Sequence, residues 1–321
     1  MIKNKWNGNE FPVDEILLSS LNDTDKEYHK LLIDILKEGI WKENRTGVKT
    51  LSIFGPQVKF TDVVNKFPLL TTKKVHLKSI IGELLWFIEG STDKNRLKEV
   101  YGTSIWDEWN VPNPKFNGDL GPIYGNQWVN WEFIDVKAFN THAEIKNRSF
   151  IIPKIKKSIN QLQNIIDTLK TNPDDRRMIV SAWHVEQLNE MALPPCHWSY
   201  QFYTAQYPNE EKRRLHIKMN IRSWDVFLGG PFNIASYAIL LLMMAQEVNM
   251  IPGDLIISAG DAHLYENHLE YIFQQLKRDS KGNEPVMLLN KNKGFWKFTP
   301  EDFSLINYEA HSNWKNVPIA I

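Results

Sequence analysis

Apolar residues recur at helical spacing in two segments of the N-terminal third of the chain. Residues 25–40 carry them every third or fourth position, and Asp23 or Thr24 can cap that segment, which predicts an amphipathic helix. Residues 76–88 show a wider apolar face and predict a second helix. Between them, residues 51–60 alternate apolar and polar positions around Gly55-Pro56, which predicts one or two strands at a bend.

The middle of the chain is less regular. Residues 110–117 and 130–153 have no clean period and are interpreted as surface insertions. A third helix is predicted for residues 155–169, followed by a loop at residues 171–175. Three short runs are typical of strands: residues 178–182, 198–205 and 215–221.

Two further helices are predicted near the C-terminus, over residues 233–248 and 262–276, with a strand at residues 255–258 between glycines. Helices and strands therefore mix without strict alternation, and no repeat is found. This favours an α+β fold, a single domain with a mixed or mainly antiparallel sheet packed by helices. Residues 1–22 are interpreted as an N-terminal extension and residues 23–321 as the folded domain.

Composition and charge narrow the function classes. With 42% hydrophobic and 24% charged residues, the 321-residue chain can bury a core of its own. Lys and Arg number 38, as do Asp and Glu, so no general attraction to nucleic acid or to a membrane is expected. The start of the chain lacks the pattern of a signal peptide and no apolar run is long enough to span a bilayer, so we expect a cytoplasmic protein.

The chain contains one cysteine, which excludes an internal disulfide and a multi-cysteine zinc site. Cys196 follows Pro194-Pro195 and precedes His197, so two prolines fix the backbone before the thiol. A buried structural cysteine is the simple interpretation of a lone thiol. A nucleophilic thiolate is the alternative, and it requires nearby cations that lower the thiol pKa.

Four arginines lie in short polar motifs and are candidates for those cations: Arg45, Arg176, Arg177 and Arg222. Arginines flanked by small hydrogen-bond donors suit a phosphate group, although a solvated arginine or a surface ion pair would explain each one singly. Asn233 stands near a predicted helix start, where its carboxamide could either cap the helix or read the imide edge of a pyrimidine.

Other polar and aromatic residues also allow two interpretations. Glu83 falls within the apolar face of the second helix, where it is either a buried acid with a raised pKa or an exposed edge residue. Trp106 and Trp109 are either core residues or a flat wall for a planar ligand. The segment from Asp261 to Tyr265 is either a cap with a packed tyrosine or part of a ligand site.

Taken in order, these motifs resemble the thymidylate synthase family from residue 44 to the end of the chain. The resemblance rests on Asn44-Arg45-Thr46-Gly47, Glu83-Leu84-Leu85-Trp86-Phe87, Pro194-Pro195-Cys196-His197, Arg222-Ser223, Pro231-Phe232-Asn233 and Asp261-Ala262-His263-Leu264-Tyr265. It implies methylation of carbon 5 of dUMP with 5,10-methylenetetrahydrofolate, no metal, and a homodimer formed through the sheet. Cys196 would add to carbon 6 of the pyrimidine.

The resemblance also implies roles for the remaining motif residues. The catalytic group would comprise Cys196, Glu83, Tyr124, His197, Arg222 and Asp225. The nucleotide would be bound by Arg45, Arg222, Ser223, Trp224, Asp225, Asn233, His263 and Tyr265, with Arg176 and Arg177 reaching it from the partner subunit. The folate would contact Lys73, His76, Trp106, Trp109, Leu193, Asp225 and Ala320, and the C-terminal tail would close over both ligands.

The chain departs from the usual family pattern at four positions: His184, Asn220, Ile221 and Gly230. An Asn followed by an apolar residue and Arg-Ser is similar to related pyrimidine nucleotide hydroxymethylases, which finish the reaction with water instead of hydride. The two tryptophans and the intact tail favour a dry site and a methyl product. Asn233 favours uracil over cytosine.

Overall fold

We describe a computed structural model, which covers residues 5–6, 9–10, 18–111, 113–135 and 155–319. The helices are α1 (Asp23–Glu38), α2 (Leu77–Ile88), α3 (Lys94–Tyr101), α4 (Tyr124–Val129), α5 (Gln161–Thr171), α6 (Gly229–Glu247) and α7 (Leu269–Leu276). The first strands are β1 (Lys5–Trp6), β2 (Asn9–Glu10), β3 (Ile40–Lys42), β4 (Thr50–Phe54), β5 (Gln57–Phe60), β6 (Trp131–Asp135) and β7 (Ile155–Ile159). The others are β8 (Ile179–Ser181), β9 (His197–Ala205), β10 (Arg214–Asp225), β11 (Ile251–Tyr265), β12 (Val286–Leu289) and β13 (Phe303–Ile306).

The main sheet has seven strands in the order β3-β4-β11-β10-β9-β8, with β5 also paired to β11. Only β10 and β11 run parallel within it, and the other pairs are antiparallel. The sheet is therefore mixed, and the predicted single α+β domain with a mixed sheet is confirmed.

Helix α6 lies at the centre of the molecule against β10 and β11. Its residues from Ile234 to Ala245 are all buried, so it is apolar on every side, as a helix enclosed by other elements must be. Helix α2 packs on α6 with an almost wholly buried surface. Helix α6 therefore contacts both α2 and the two strands β10 and β11, and most of the candidate site residues lie on or next to these elements.

Two predicted helices are wrong in part. Residues 155–159 form strand β7, because they pair with β6 in a hairpin, and α5 begins only at Gln161 after an Asn160 cap. Residues 262–265 belong to β11, because β4 and β10 hold them on both sides, and α7 begins at Leu269 after a 3-10 turn. Helices α3 and α4 were not predicted.

The other predicted elements are found with shifted ends. Helix α6 begins at Gly229, four residues before the predicted start, and the bend at residues 51–60 separates β4 from β5. The second predicted insertion begins as β6, and its residues 136–153 lie outside the described residues. Within the part of the chain that is described, none of the helices is both long enough and apolar enough to span a membrane.

Candidate active site

Cys196 lies just before β9, and its neighbour on the next strand is Arg222. The amide of Arg222 donates to the Cys196 carbonyl at 2.8 Å, which fixes the two residues side by side. The Arg222 guanidinium donates to the carbonyls of Pro195 at 2.9 Å and Pro194 at 2.7 Å. Its Nη2 lies 3.9 Å from the Cys196 Sγ. The same guanidinium therefore both holds the proline turn and faces the thiol.

Burial is the largest influence on the Cys196 thiol and raises its pKa above the ordinary value. Arg222, a hydrogen bond with Tyr124, and Arg45 all act in the opposite direction. The arginines expected to favour the thiolate are thus present, but they do not outweigh desolvation in the free chain. Formation of the thiolate therefore needs a partner that accepts its proton.

Tyr124 and His197 form a buried pair beside the cysteine. The Tyr124 hydroxyl accepts a hydrogen bond from the Cys196 amide at 2.8 Å, and the His197 ring stacks on the Tyr124 ring at 4.2 Å between centroids. His197 Nδ1 is 2.9 Å from the Tyr237 hydroxyl. Burial lowers the pKa of His197 to about 3, so its imidazole is neutral near pH 7 and supports Tyr124 instead of serving as an acid.

Glu83 lies on α2 and accepts a hydrogen bond from Trp106 Nε1 at 2.8 Å. Burial raises the pKa of Glu83 to about 7, while the bond from Trp106 acts in the lowering direction. A carboxyl group with a pKa near the working pH can both give and accept a proton. Glu83 is partly buried by its surface exposure, so it is not an exposed edge residue, and its bond with Trp106 and raised pKa favour the interpretation as a buried acid.

Arg45 and Trp109 lie together at the exposed side of the same site, with the guanidinium carbon 6.0 Å from the indole centroid. Burial raises the pKa of both Cys196 and Tyr265, whereas Arg45 acts to lower both, so its charge lies within electrostatic reach of both residues. Its side chain is exposed and therefore accessible to an anionic ligand.

Asn233 is the fifth residue of α6, so it does not cap that helix. Its side chain is partly buried, and its Oδ1 would lie 3.7 Å from a Cβ placed on Gly229 at the helix start. The capping interpretation is excluded by this position. A carboxamide offers both a hydrogen-bond donor and an acceptor, so the interpretation of Asn233 as a reader of a pyrimidine edge stays a prediction.

The parallel pairing of β10 and β11 brings together two pairs of polar residues from the two motifs. Asp225 lies opposite His263, and Ser223 lies opposite Asp261, in register. Asp225 Oδ1 accepts from the amides of Phe227 and Leu228, each at 3.1 Å, and so holds the turn into α6. Tyr265, at the end of β11, packs its ring perpendicular to that of His263 at 5.3 Å.

The other residues assigned from the resemblance differ in exposure. Arg176 and Arg177 are exposed at the far end of the sheet, and Arg177 is paired with Asp175 at 2.6 Å. The Trp224 side chain is completely buried. Leu193 is partly buried in the proline turn, and Ala320 lies outside the described residues.

Lys73 and His76 lie in the segment that precedes α2, but they face different environments. Lys73 is 4% exposed, donates to the Phe227 carbonyl and lies 3.8 Å from the Phe227 ring centroid. Burial lowers the pKa of Lys73 to about 7, although Asp225 acts in the raising direction. His76 is exposed and its Nδ1 is 2.9 Å from Ser79 Oγ, so only His76 remains accessible to a ligand tail.

Sequence reasoning did not single out His268. This residue is completely buried, its Nε2 is 2.7 Å from the Pro318 carbonyl, and its ring lies against Phe227 and Tyr265. It therefore anchors the C-terminal segment next to the site. No local signal marks it, because its partner is 50 residues away in sequence.

Three of the four departures, His184, Asn220 and Ile221, are accommodated by packing or by hydrogen bonds. His184 stacks on Trp131 with 4.3 Å between the ring centroids, and its Nε2 lies 3.0 Å from the Glu132 carbonyl oxygen in β6. Asn220 donates to Ser199 Oγ at 3.0 Å. Ile221 is 2% exposed. His184 thus supports the β6-β7 hairpin.

Among the described residues, no cluster of three or more His, Cys, Asp or Glu is arranged to hold a metal ion. The arrangement instead offers a thiol, guanidinium groups, a carboxyl group that titrates near neutrality, and an amide. A comparison with known protein families gives a match to the family described as thymidylate synthase over residues 26–320.

Proposed function

The chain belongs to the thymidylate synthase family, and we propose that it converts dUMP to dTMP with 5,10-methylenetetrahydrofolate as the donor. The observation that carries this proposal is the contact of Arg222 Nη2 with Cys196 Sγ at 3.9 Å, beside Tyr124 and a Glu83 that titrates near pH 7. These groups supply the nucleophile, the cation that stabilises its anion, and the acid-base residue.

In the proposed reaction, Cys196 Sγ forms a bond to carbon 6 of the uracil ring, and its proton leaves toward the buried acid-base group. The ring electrons move to carbon 5, which becomes the nucleophile toward the one-carbon unit. Glu83 then takes part in proton transfer at the ring oxygen through ordered water. Arg45, Arg222 and Ser223 bind the phosphate, and Asn233 reads the imide edge of the base.

The residues that line the site suit a folate. Trp109, whose amide donates to the Trp106 carbonyl at 3.1 Å, and Leu193 are partly buried and offer apolar surface, while Asp225 offers a carboxylate that can accept hydrogen bonds from a pterin. The folate, when bound, would supply the methylene group and the hydride. His76 remains the exposed candidate for its tail, whereas the Lys73 ammonium is enclosed.

The alternative activity is a hydroxymethylase that makes 5-hydroxymethyl-dUMP from the same substrates, and the departures at Asn220 and Ile221 favour it. Against it, Trp106 is 6% exposed and covers Glu83, which supports a site that excludes water. The His184 departure does not bear on this choice, because that side chain contacts the β6-β7 hairpin.

A mass spectrum of the product distinguishes the two activities. Incubation with dUMP and methylenetetrahydrofolate should give dTMP and dihydrofolate, whereas 5-hydroxymethyl-dUMP and tetrahydrofolate would show the alternative. A protein that binds dUMP without turnover would instead be a binding relative. Cys196→Ala is the control, since it should abolish any product made through a thiol adduct.

We also propose a homodimer in which Arg176 and Arg177 reach the phosphate site of the partner subunit. Large side chains remain exposed on the sheet of the single chain: Phe54 at 90%, Tyr203 at 63% and Ile179 at 50%. Burial of such residues against a second copy would stabilise a dimer. The exposed position of both arginines supports their availability to another subunit.

A further inference from the structure

Asp261 accepts charged and polar donors from three different strands. His263 Nδ1 lies 3.0 Å from its Oδ1, and Lys42 Nζ lies 2.7 Å from its Oδ2. Ser52 of β4 also hydrogen-bonds to it. Lys42 ends β3, just before the turn that carries Arg45, so one carboxylate links that turn to the His263 segment of β11.

The contact with His263 settles which ring nitrogen carries the proton. Although burial acts to raise it, the pKa of Asp261 is held below its usual range by the bonds from His263 and Lys42. An ionised carboxylate only accepts hydrogen bonds, so Nδ1 of His263 donates to it. In the neutral ring, Nε2 is then an acceptor. His263 is 8% exposed, which leaves little freedom for the ring to turn.

We propose that Asp261 is a positioning residue that makes His263 Nε2 an acceptor for the free 3′-hydroxyl of a deoxynucleotide. This assignment rests on the proposed function, under which His263 and Tyr265 contact the deoxyribose. A hydroxyl donates its single proton to Nε2 and can accept from Tyr265 in return. Asp261 therefore contributes to recognition of a nucleotide with a free 3′-hydroxyl, although it does not touch that nucleotide.

The same strand contains a matched control. Asp254 also pairs with a lysine, Lys59 at 2.7 Å, and with a histidine, His216 at 3.5 Å. However, His216 Nδ1 is a partner of the Asp254 amide at 3.0 Å, so that ring is held differently. Asp254 lies seven residues before Asp261, roughly 23 Å along the strand. Asp254→Asn changes the same chemistry far from the site.

The test measures the affinities of dUMP and of 2′,3′-dideoxyuridine 5′-monophosphate, which lacks the 3′-hydroxyl. The wild-type protein should bind dUMP more tightly, because a site built around a hydroxyl rejects the analogue without it. In Asp261→Asn this preference should fall about tenfold, chiefly through weaker dUMP binding. Asp254→Asn should keep the wild-type preference, and Lys42→Met should lose a smaller part of it.

Testing Asp261→Asn in a second variant, His263→Ala, separates positioning through His263 from a general effect on folding. In His263→Ala, the addition of Asp261→Asn should change neither affinity further. An undiminished preference for dUMP in Asp261→Asn would overturn the assignment. The assignment would also be overturned if Asp261→Asn weakened dUMP binding as much in His263→Ala as it does in the wild-type protein. Absence of dUMP binding by the wild-type protein would instead refute the proposed function on which the assignment rests.

Discussion

At the scale of single residues, burial decides the protonation states in the site. It raises the pKa of Glu83 to about 7 and lowers that of His197 to about 3 and that of Lys73 to about 7. The three shifts follow one rule, since desolvation disfavours the charged form of each group. As a result, Glu83 is the residue best suited to proton transfer, while His197 is a neutral support.

Replacement of Arg222 by Lys should make the Cys196 thiol less reactive. A lysine has no planar guanidinium that can bond both proline carbonyls. Loss of the Arg222 guanidinium from its position beside the thiol also removes an influence that lowers the thiol pKa. The rate of alkylation by iodoacetamide at pH 8 should fall about tenfold. Arg214→Lys, at the other end of β10 and paired with Glu210, should leave that rate unchanged.

Replacement of Glu83 by Gln should alter both turnover and the pH dependence of stability. Because the folded-state pKa is raised, the wild-type free energy of unfolding should decrease as pH rises from about 4.5 to about 7 and then level off. The variant should lack this decrease, which we expect to be about 3 kcal/mol. Turnover should fall by about 10²-fold or more.

Urea denaturation at pH 5 and pH 8 measures the difference for each protein. Glu270→Gln on the exposed side of α7 is the control and should follow the wild-type profile. Equal pH dependence in Glu83→Gln and wild type would contradict a raised pKa at Glu83.

At the scale of elements, a buried carboxylate attaches α1 to the segment before α2. Asp25 is completely buried and accepts from the amides of Thr71 and Thr72 at 3.1 and 3.3 Å. It also accepts from the Thr72 hydroxyl at 2.9 Å and from Ser280 Oγ at 2.7 Å. This segment leads to Lys73, which bonds the Phe227 carbonyl in the turn that enters α6.

Asp25→Ala should therefore destabilise the protein by about 3 kcal/mol, because several buried donors lose their acceptor at once. Denaturant titration at pH 7 measures the loss. Asp34→Ala on the exposed face of the same helix is the matched control. It should change stability by less than about 0.5 kcal/mol. Equal effects of the two substitutions would contradict an attachment role for Asp25.

At the scale of the whole molecule, the proposed homodimer would build each site from residues of two subunits. Arg177→Glu should remove the guanidinium that one subunit offers its partner, and Cys196→Ala should remove the nucleophile. Each variant alone should be nearly inactive. After the two are mixed and allowed to exchange subunits, about half of the dimers are hybrids with one intact site, so about a quarter of wild-type activity should appear.

Turnover of the mixture, followed over time after mixing, measures this recovery. A mixture of Cys196→Ala with Glu83→Gln is the control. Both residues belong to the same chain's site, so each site of a hybrid dimer carries one of the two substitutions and no intact site forms. Sedimentation should show a dimer for every variant. A mixture of the first pair that stays inactive while its subunits exchange would contradict a shared site.

The sequence by itself determined the elements that local pattern encodes and the chemistry that residue type encodes. Helices α1 and α2 follow from the 3.6-residue period of their buried positions, and the bend between β4 and β5 follows from Gly55-Pro56. The order of the motifs around Cys196 identified the family, because each motif keeps its residue types and spacing.

Only the tertiary structure decided the features that depend on residues far apart in sequence. Strand β11 continues to Tyr265 because β4 and β10 pair with it, although the local pattern favours a helix there. His268 acquires its role from Pro318, and Glu83 acquires its pKa from the burial that α2 imposes. Strand pairing and desolvation arise from neighbours in space, which no local window of sequence contains.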